Sequence, residues 1–326
     1  MNAKDIAREL NLSATTVSRA LSGKGRVSSK TAELVKTYAH SHGYFSASEF
    51  PKNRTQNIGI VFPYSYGENY HSFFLQCLVG AQTACQRNGY DLMITSADNK
   101  GNSALDRIVN QKKIDGIILA RAYKNDWAAA LLESKNIPFV IIGSSDDPNV
   151  FSVDQDNYSS CKELTEILIS KGNERLFLIG GKEEFNVNQI RLQGFLDACK
   201  HMSNRTISYH YLMNCDTNIE ISNAVRFALR KDTDCIICMD DHICLMALNE
   251  LERRDLDIPL DIKIASFFNS EYLEHNSPPI TSIIYDNHAI GEAAVEKLLS
   301  LIKNNCNDNS RKEYLHYEVS MRGSTQ

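Results

Sequence analysis

Residues 4–28 read KDIARELNLSATTVSRALSGKGRVS. Ile6, Ala7 and Leu10, then Val17 and Leu21, stand three, four or seven apart, a spacing that predicts two short helices. Asn11-Leu12 interrupts them, and Ser13 stands where a hydroxyl accepts an orphan N–H at the start of the second helix. The shape is a helix-turn-helix. With Val17 and Leu21 turned inward, the second helix leaves Ala14, Thr15, Thr16, Ser18 and Arg19 on its outer face. A helix entering the major groove reads base edges from its N-terminal residues, arginine to guanine being the commonest specific contact. Ser22, Arg26 and Lys4 complete the candidate DNA-contacting set. An ordinary two-helix corner with a solvated polar face has the same spacing, so spacing alone does not decide between them.

The wording goes further than the spacing. The string D-I-A-x-x-L-x-L-S-x-T-T-V-S-R-A-L at 5–21, followed by Val27-Ser28, Thr31, Val35 and Gly43-Tyr44, closely resembles the DNA-binding head of the lactose-repressor (LacI/GalR) family. Ser28 is expected to cap a third helix, with Leu34, Val35 and Tyr38 facing inward and Gly43 ending it, so that the head covers residues 1–44. Residues 45–57 read as a linker. In the family this segment forms a hinge helix that wedges a leucine into the minor groove. Here Asn53 stands at the leucine position and Pro51 at the preceding arginine, so a weak wedge is expected, with Phe50 as the apolar side chain available to replace it.

The charge distribution fits two tasks in one chain. Overall the 326 residues carry 35 basic and 40 acidic side chains, yet residues 1–55 hold nine basic and four acidic ones, a net of +5, leaving −10 for the rest. A basic head suits phosphate contacts, and an acidic body limits nonspecific sticking. Met1 runs straight into a charged amphipathic helix, so no cleavable leader is expected, and no apolar run reaches the ~18 residues of a membrane span. Nine cysteines, odd in number and scattered through apolar segments, fit buried thiols in the cytoplasm better than a disulfide framework. Cys235-Ile-Ile-Cys238 lacks a partner pair and sits in a strand-like run, so no metal site is expected there.

From Ile58 onward, near-continuous apolar strands alternate with amphipathic helices. Strands are predicted at 58–63, 91–95, 116–120, 139–142, 176–179, 207–211, 235–238 and 262–266, with a short one at 282–284. That pattern means parallel sheets covered on both faces, and the strand count predicts two doubly wound lobes. The expected fold is thus an all-α helix-turn-helix head joined to an α/β effector domain at 58–326, its lobes covering 58–157 plus 285–308 and 158–284 plus 309–326. The family resemblance implies the same body, similar to a periplasmic sugar-binding protein with a cleft between lobes.

Ligands of open parallel sheets bind beyond the carboxyl ends of strands. The loops there are rich in rings and polar groups: Tyr64, Phe73 and Phe74 after the first strand, Arg121, Tyr123 and Trp127 after 116–120, Phe185 and Arg191 after Gly180-Gly181, Asp240 after Met239, Asn269 after Phe268, and Tyr285. Carboxylates, amides and guanidinium groups suit the paired hydroxyls of a sugar, and aromatic rings cover its C–H faces. Phe73 and Phe74 serve equally as core anchors, Asp240 as a helix cap, and Arg191 as the partner of Glu183 or Glu184 in a surface ion pair. The resemblance implies that Arg191 in R-L-Q-G-F and Asp240 in M-D-D contact the effector. The family's cleft aspartate falls near Phe268, so that contact is missing or passes to Asn269. The stretches S-F-F-N-S-E-Y at 266–272 and P-P-I-T-S-I at 278–283 resemble maltose-type repressors of Gram-positive bacteria, which favours a glucoside.

Asp240-Asp241-His242 has no second histidine or carboxylate at ligand spacing, and no phosphate-cradling glycine motif occurs, so neither an enzyme nor a cofactor is expected. The expected partners are double-stranded operator DNA, a small sugar effector and a second copy of the chain. A nucleobase effector or a protein corepressor is the alternative; a sugar-binding protein or enzyme without DNA function leaves the basic head unexplained.

Overall fold

The computed structural model describes residues 2–23, 25–42, 44, 54–63, 72–97, 103–123, 125–145, 147–201, 207–303 and 310–326. Tyr64, Phe50, Pro51, Asn53 and Gly43 lie outside the described residues. The head is three helices, α1 (Ala3–Glu9), α2 (Ala14–Ser22) and α3 (Ser29–Ser41). Asn11 turns the chain between α1 and α2 at φ +52°, a left-handed conformation that asparagine tolerates. Ser13 Oγ accepts from Thr16 N at 3.0 Å and Ser28 Oγ from Thr31 N at 3.1 Å, so both expected caps form. Ile6, Ala7, Val17, Ala20, Leu21, Val35 and Ala39 make the core, with Tyr38 against it. Leu34, expected inside, is 54% exposed: it stands one residue before Val35, off the face that α3 presents to α1 and α2.

The body follows as β1 (Asn57–Pro63), α4 (Ser72–Arg87), β2 (Asp91–Ala97), α5 (Ser103–Asn110), β3 (Gly116–Leu119), α6 (Trp127–Ser134), β4 (Phe139–Ile142) and β5 (Ser152–Gln155). A second series runs α7 (Asn157–Ser170), β6 (Arg175–Ile179), α8 (Asn186–His201), β7 (Ser208–Leu212), α9 (Asn218–Leu229), β8 (Cys235–Cys238), α10 (Asp241–Glu252), β9 (Lys263–Ser266), α11 (Glu271–Glu274) and β10 (Thr281–Tyr285). The chain ends with α12 (Asn287–Ile302), β11 (Lys312–Leu315) and β12 (Tyr317–Ser320).

Two six-stranded sheets result, ordered β11-β5-β4-β3-β1-β2 and β12-β10-β9-β8-β6-β7. All described pairings are parallel except β10 with β12. Period-two alternation accounts for the apolar strands: Ile58, Ile60 and Phe62 face α4 and α12, whereas Val61, Ile117, Leu119 and Ile141 face α5 and α6. In β1, β3 and β4 both faces are buried, so nearly every position there favours an apolar residue.

One boundary differs from expectation. Lys312–Leu315 pairs in parallel with β5, so this segment completes the first sheet instead of belonging with the second. The chain therefore passes between sheets three times, after Gln155, after Tyr285 and after Leu315. The first two crossings are built alike: Asp156 caps α7 through Ser159 N, and Asp286 caps α12 through Ala289 N. They are tied together by Gln155 Nε2 donating to Asn287 Oδ1 at 2.6 Å, and Asn287 Nδ2 in turn donates to Gln76 Oε1 on α4. All eight described cysteines are free and buried, Cys235 and Cys238 within β8. No described helix is long and apolar enough to cross a membrane.

Candidate functional site

On the head, Lys4, Ala14, Thr15, Ser18, Arg19 and Arg26 are exposed, and Thr16 and Ser22 are half-buried. Thr16 also meets the capping Ser13 hydroxyl at 2.8 Å, so part of its hydrogen-bonding capacity is spent within the head. Arg19 is held from behind: a Cβ on Gly25, which sits at φ +102°, would lie 3.1 Å from Arg19 Cδ. The exposed polar and basic face of α2 is the one the apolar spacing predicts.

In the body, the carboxyl ends of both sheets converge on a cavity of about 130 Å³. The first lobe contributes Phe73, Phe74, Arg121, Ser144, Asp154 and Gln155; the second contributes Lys182, Phe185, Asn188, Arg191, Asp216, Asp240, Asp241 and Phe268; Asn157 stands at the crossing between them. Phe73 and Phe268 meet edge to face across the cleft with centroids 6.1 Å apart. Behind Phe73, Phe74 is a core anchor that also borders the cavity, packing on Phe62 at 5.5 Å.

Arg191 is 7% exposed. It does not pair with Glu183 or Glu184. Its Nε donates to Asn157 Oδ1 and its Nη1 to the Met239 carbonyl, each at 2.9 Å, and the guanidinium carbon lies 5.9 Å from the Phe268 ring. Asn157 Nδ2 then donates to Asp154 Oδ1, and Ser144 Oγ to Asp154 Oδ2. A buried polar chain thus runs from the end of β4 to the end of β8, joining the lobes at the floor of the cleft. Burial pushes Asp154 up to about 6 despite the hydrogen bonds it accepts. Burial, with the adjacent Asp240 charge, pushes Asp241 up to about 7. Asp240 caps α10 through Ile243 N at 2.8 Å and still borders the cavity, so its two readings are compatible.

Four expected residues sit elsewhere. Trp127 opens α6 and packs on the core of the first lobe, away from the cavity lining. Tyr123 forms a backbone bridge with Phe185 at the rim, their rings 5.5 Å apart, and so joins the lobes beside the cavity without lining it. Asn269 turns outward: its Oδ1 accepts from Ser282 Oγ and from Arg322 Nη1, both at 2.8 Å. Tyr285 is buried behind Phe268, stacked on it at 5.9 Å, with its hydroxyl 2.6 Å from Ser160 Oγ. Sequence reasoning left Ser144, Asp154, Gln155 and Asn157 out of the site. They follow β4 and lie in or after β5, and the polar S-V-D-Q of β5 does not read as an apolar strand although all four residues are buried.

A basic helix-turn-helix head on a two-lobed α/β body with an interlobe cleft defines a class: transcription regulators with a periplasmic-binding-protein-like body. The chain belongs to the LacI family and is a transcriptional repressor of that family. Residues 2–46 match the model for bacterial regulatory proteins of the lacI family, and residues 165–325 match a periplasmic binding protein-like domain. The chain is 30% identical over 317 residues to the HTH-type transcriptional regulator MalR of Staphylococcus xylosus, covering 92% of this chain and 91% of that one. It is 26% identical over 333 residues to the repressor CytR of Escherichia coli strain K12, covering 99% and 96%. Among solved structures, a probable maltose operon repressor malR from a staphylococcus superposes with TM-score 0.76 at 27% identity over 84% of this chain and 99% of that one. The regulator CelR shares the fold over 99% of both chains at TM-score 0.72 and 22% identity.

Proposed function

We propose that this repressor binds a small sugar of the maltose type in the interlobe cleft, and that occupancy of the cleft sets the operator affinity of two heads carried by a homodimer. The observation that carries the reading is Arg191: a buried guanidinium at the cleft floor, fixed through Nε and Nη1, beside an aromatic wall of Phe73 and Phe268. Fixed donors and carboxylate acceptors next to apolar rings suit vicinal hydroxyls and C–H faces. The similarity to regulators named MalR points to the same ligand class. A dimer places two α2 helices on half-sites about one helical turn, ~34–36 Å, apart. To move occupancy between 99:1 and 1:99, the ligand must distinguish the two lobe arrangements by ~5.5 kcal/mol.

The test pairs two titrations on Arg191→Ala: maltose by calorimetry, and operator DNA without sugar. The expected result is lost maltose binding with operator affinity nearly intact. Wild-type maltose affinity in the variant removes Arg191 from the ligand site; no maltose binding by the parent protein removes the maltose assignment.

A further inference from the structure

Arg121 follows β3 at the cleft and makes no hydrogen bond or ion pair with a described residue; its guanidinium carbon lies 4.0 Å from the Phe185 centroid and 5.0 Å from that of Phe74. Rings on its flanks favour the cation through their faces but supply no acceptor for its five N–H donors. Burial lowers its pKa to about 10. Phe74 belongs to the first lobe and Phe185 to the second, so the sandwich exists only while the lobes hold this separation.

The charges around it are unevenly committed. Lys182 is neutralised by Asp216 at 2.8 Å. That leaves Arg121 and Arg191 facing Asp154, Asp240 and Asp241 across the same cavity. Asp154 and Asp240 already match the two arginines in charge, and Asp241 is raised toward its protonated form, so an incoming phosphate or carboxylate meets no excess of positive charge in a partly desolvated cleft. Hydroxyl oxygens can accept from the arginines and donate to the carboxylates.

We infer that Arg121 is a second effector-contacting arginine, supplied by the first lobe opposite Arg191 of the second, and that the pair with its carboxylates selects an uncharged polyhydroxyl ligand over its phosphorylated or carboxylated counterparts. The inference rests on reading the cleft as a sugar site. Arg121→Met keeps the apolar stem between the rings and removes the donors; Arg121→Lys keeps the charge but not the planar fork.

Calorimetric titration of the full chain and both variants with maltose, and with the phosphate monoester of maltose, tests it. The parent is expected to bind maltose and to bind the phosphate ester at least tenfold more weakly. Both variants are expected to lose about tenfold or more in maltose affinity, the loss of a charged donor, with thermal midpoints showing them folded. Parent-like maltose affinity in a folded Arg121→Met or Arg121→Lys overturns the role of Arg121 and leaves the sugar reading standing. Tighter binding of the phosphate ester overturns the selectivity. Absence of maltose binding in the parent overturns the sugar reading and this inference with it.

Discussion

Gly25 and Arg19 occupy adjoining space on the face of the head expected to read DNA. Arg19→Ala is expected to cost ~1–3 kcal/mol at the specific operator, the value of one bidentate base contact, and much less on random DNA. Gly25→Ala is expected to act the same way through a residue that need not touch DNA, because the added methyl sits 3.1 Å from Arg19 Cδ at a φ that disfavours side chains. Binding curves on operator and random duplexes check both; equal losses on the two duplexes make Arg19 a phosphate anchor. In the cleft, the raised Asp241 pKa means that the folded protein holds a proton which the unfolded chain releases near the ordinary aspartate value of 3.8. Stability from this group is therefore full at low pH and falls as pH rises toward about 7, by at most ~1.4 kcal/mol per pH unit. Asp241→Asn is expected to flatten that part of the urea-midpoint profile and to be the more stable protein at pH 8, about one unit above the raised value. Arg191 was legible because a guanidinium before an apolar helical stripe faces the strand ends. Asn269 was misread because Arg322, some fifty residues later in the chain, claims its oxygen, and no local pattern reports such a partner.

Between elements, α4 and α12 pack with their backbones in close contact at two glycines. A Cβ on Gly80 would lie 2.0 Å from the His288 carbonyl oxygen, and one on Gly291 would lie 2.1 Å from that of Cys77. Gly291→Ala must separate the helices over the core that holds Phe74, Ile290 and Leu298. Overpacking against backbone is expected to cost ~1–3 kcal/mol or more, read as a lowered urea midpoint with the head still able to bind DNA. A midpoint unchanged from the parent shows that the helices yield freely. Elements of this kind were readable wherever burial on both faces wrote an apolar run, as in β1 and β8. β5 was missed because its buried Asp154 and Gln155 are polar residues satisfied by hydrogen bonds with each other, with Ser144 and Asn157, and with Asn287 at the second crossing. β11 and β12 are edge strands, the first largely exposed and the second mostly half-buried, and carry little apolar signal.

For the molecule as a whole, the two sheets repeat one strand order, and their corresponding edges, β2 and β7, both carry exposed apolar residues. Ile94 of β2 is 60% exposed, as Leu75 and Val79 of α4 are also exposed, and Tyr211 and Leu212 of β7 are exposed, as are Ile219 and Phe227 of α9. An uncovered apolar edge invites pairing, and the proposed homodimer is expected to cover both. Ile94→Glu and Ile219→Glu together are expected to shift sedimentation to the monomer and to weaken operator binding far more than the loss of one base contact. A persistent dimer places the interface elsewhere.

The late return of the chain to the first sheet has a consequence for how the protein is born. The core of the head closes within residues 2–44, whereas the first lobe lacks its covering helix and outer strand until residue 315 has been made. At ~5–20 residues per second, roughly 15–55 s of synthesis separate the two events. Each new copy thus owns a finished head well before it owns a cleft, and if a sugar controls the repressor as proposed, for that interval on the ribosome the head is beyond its reach.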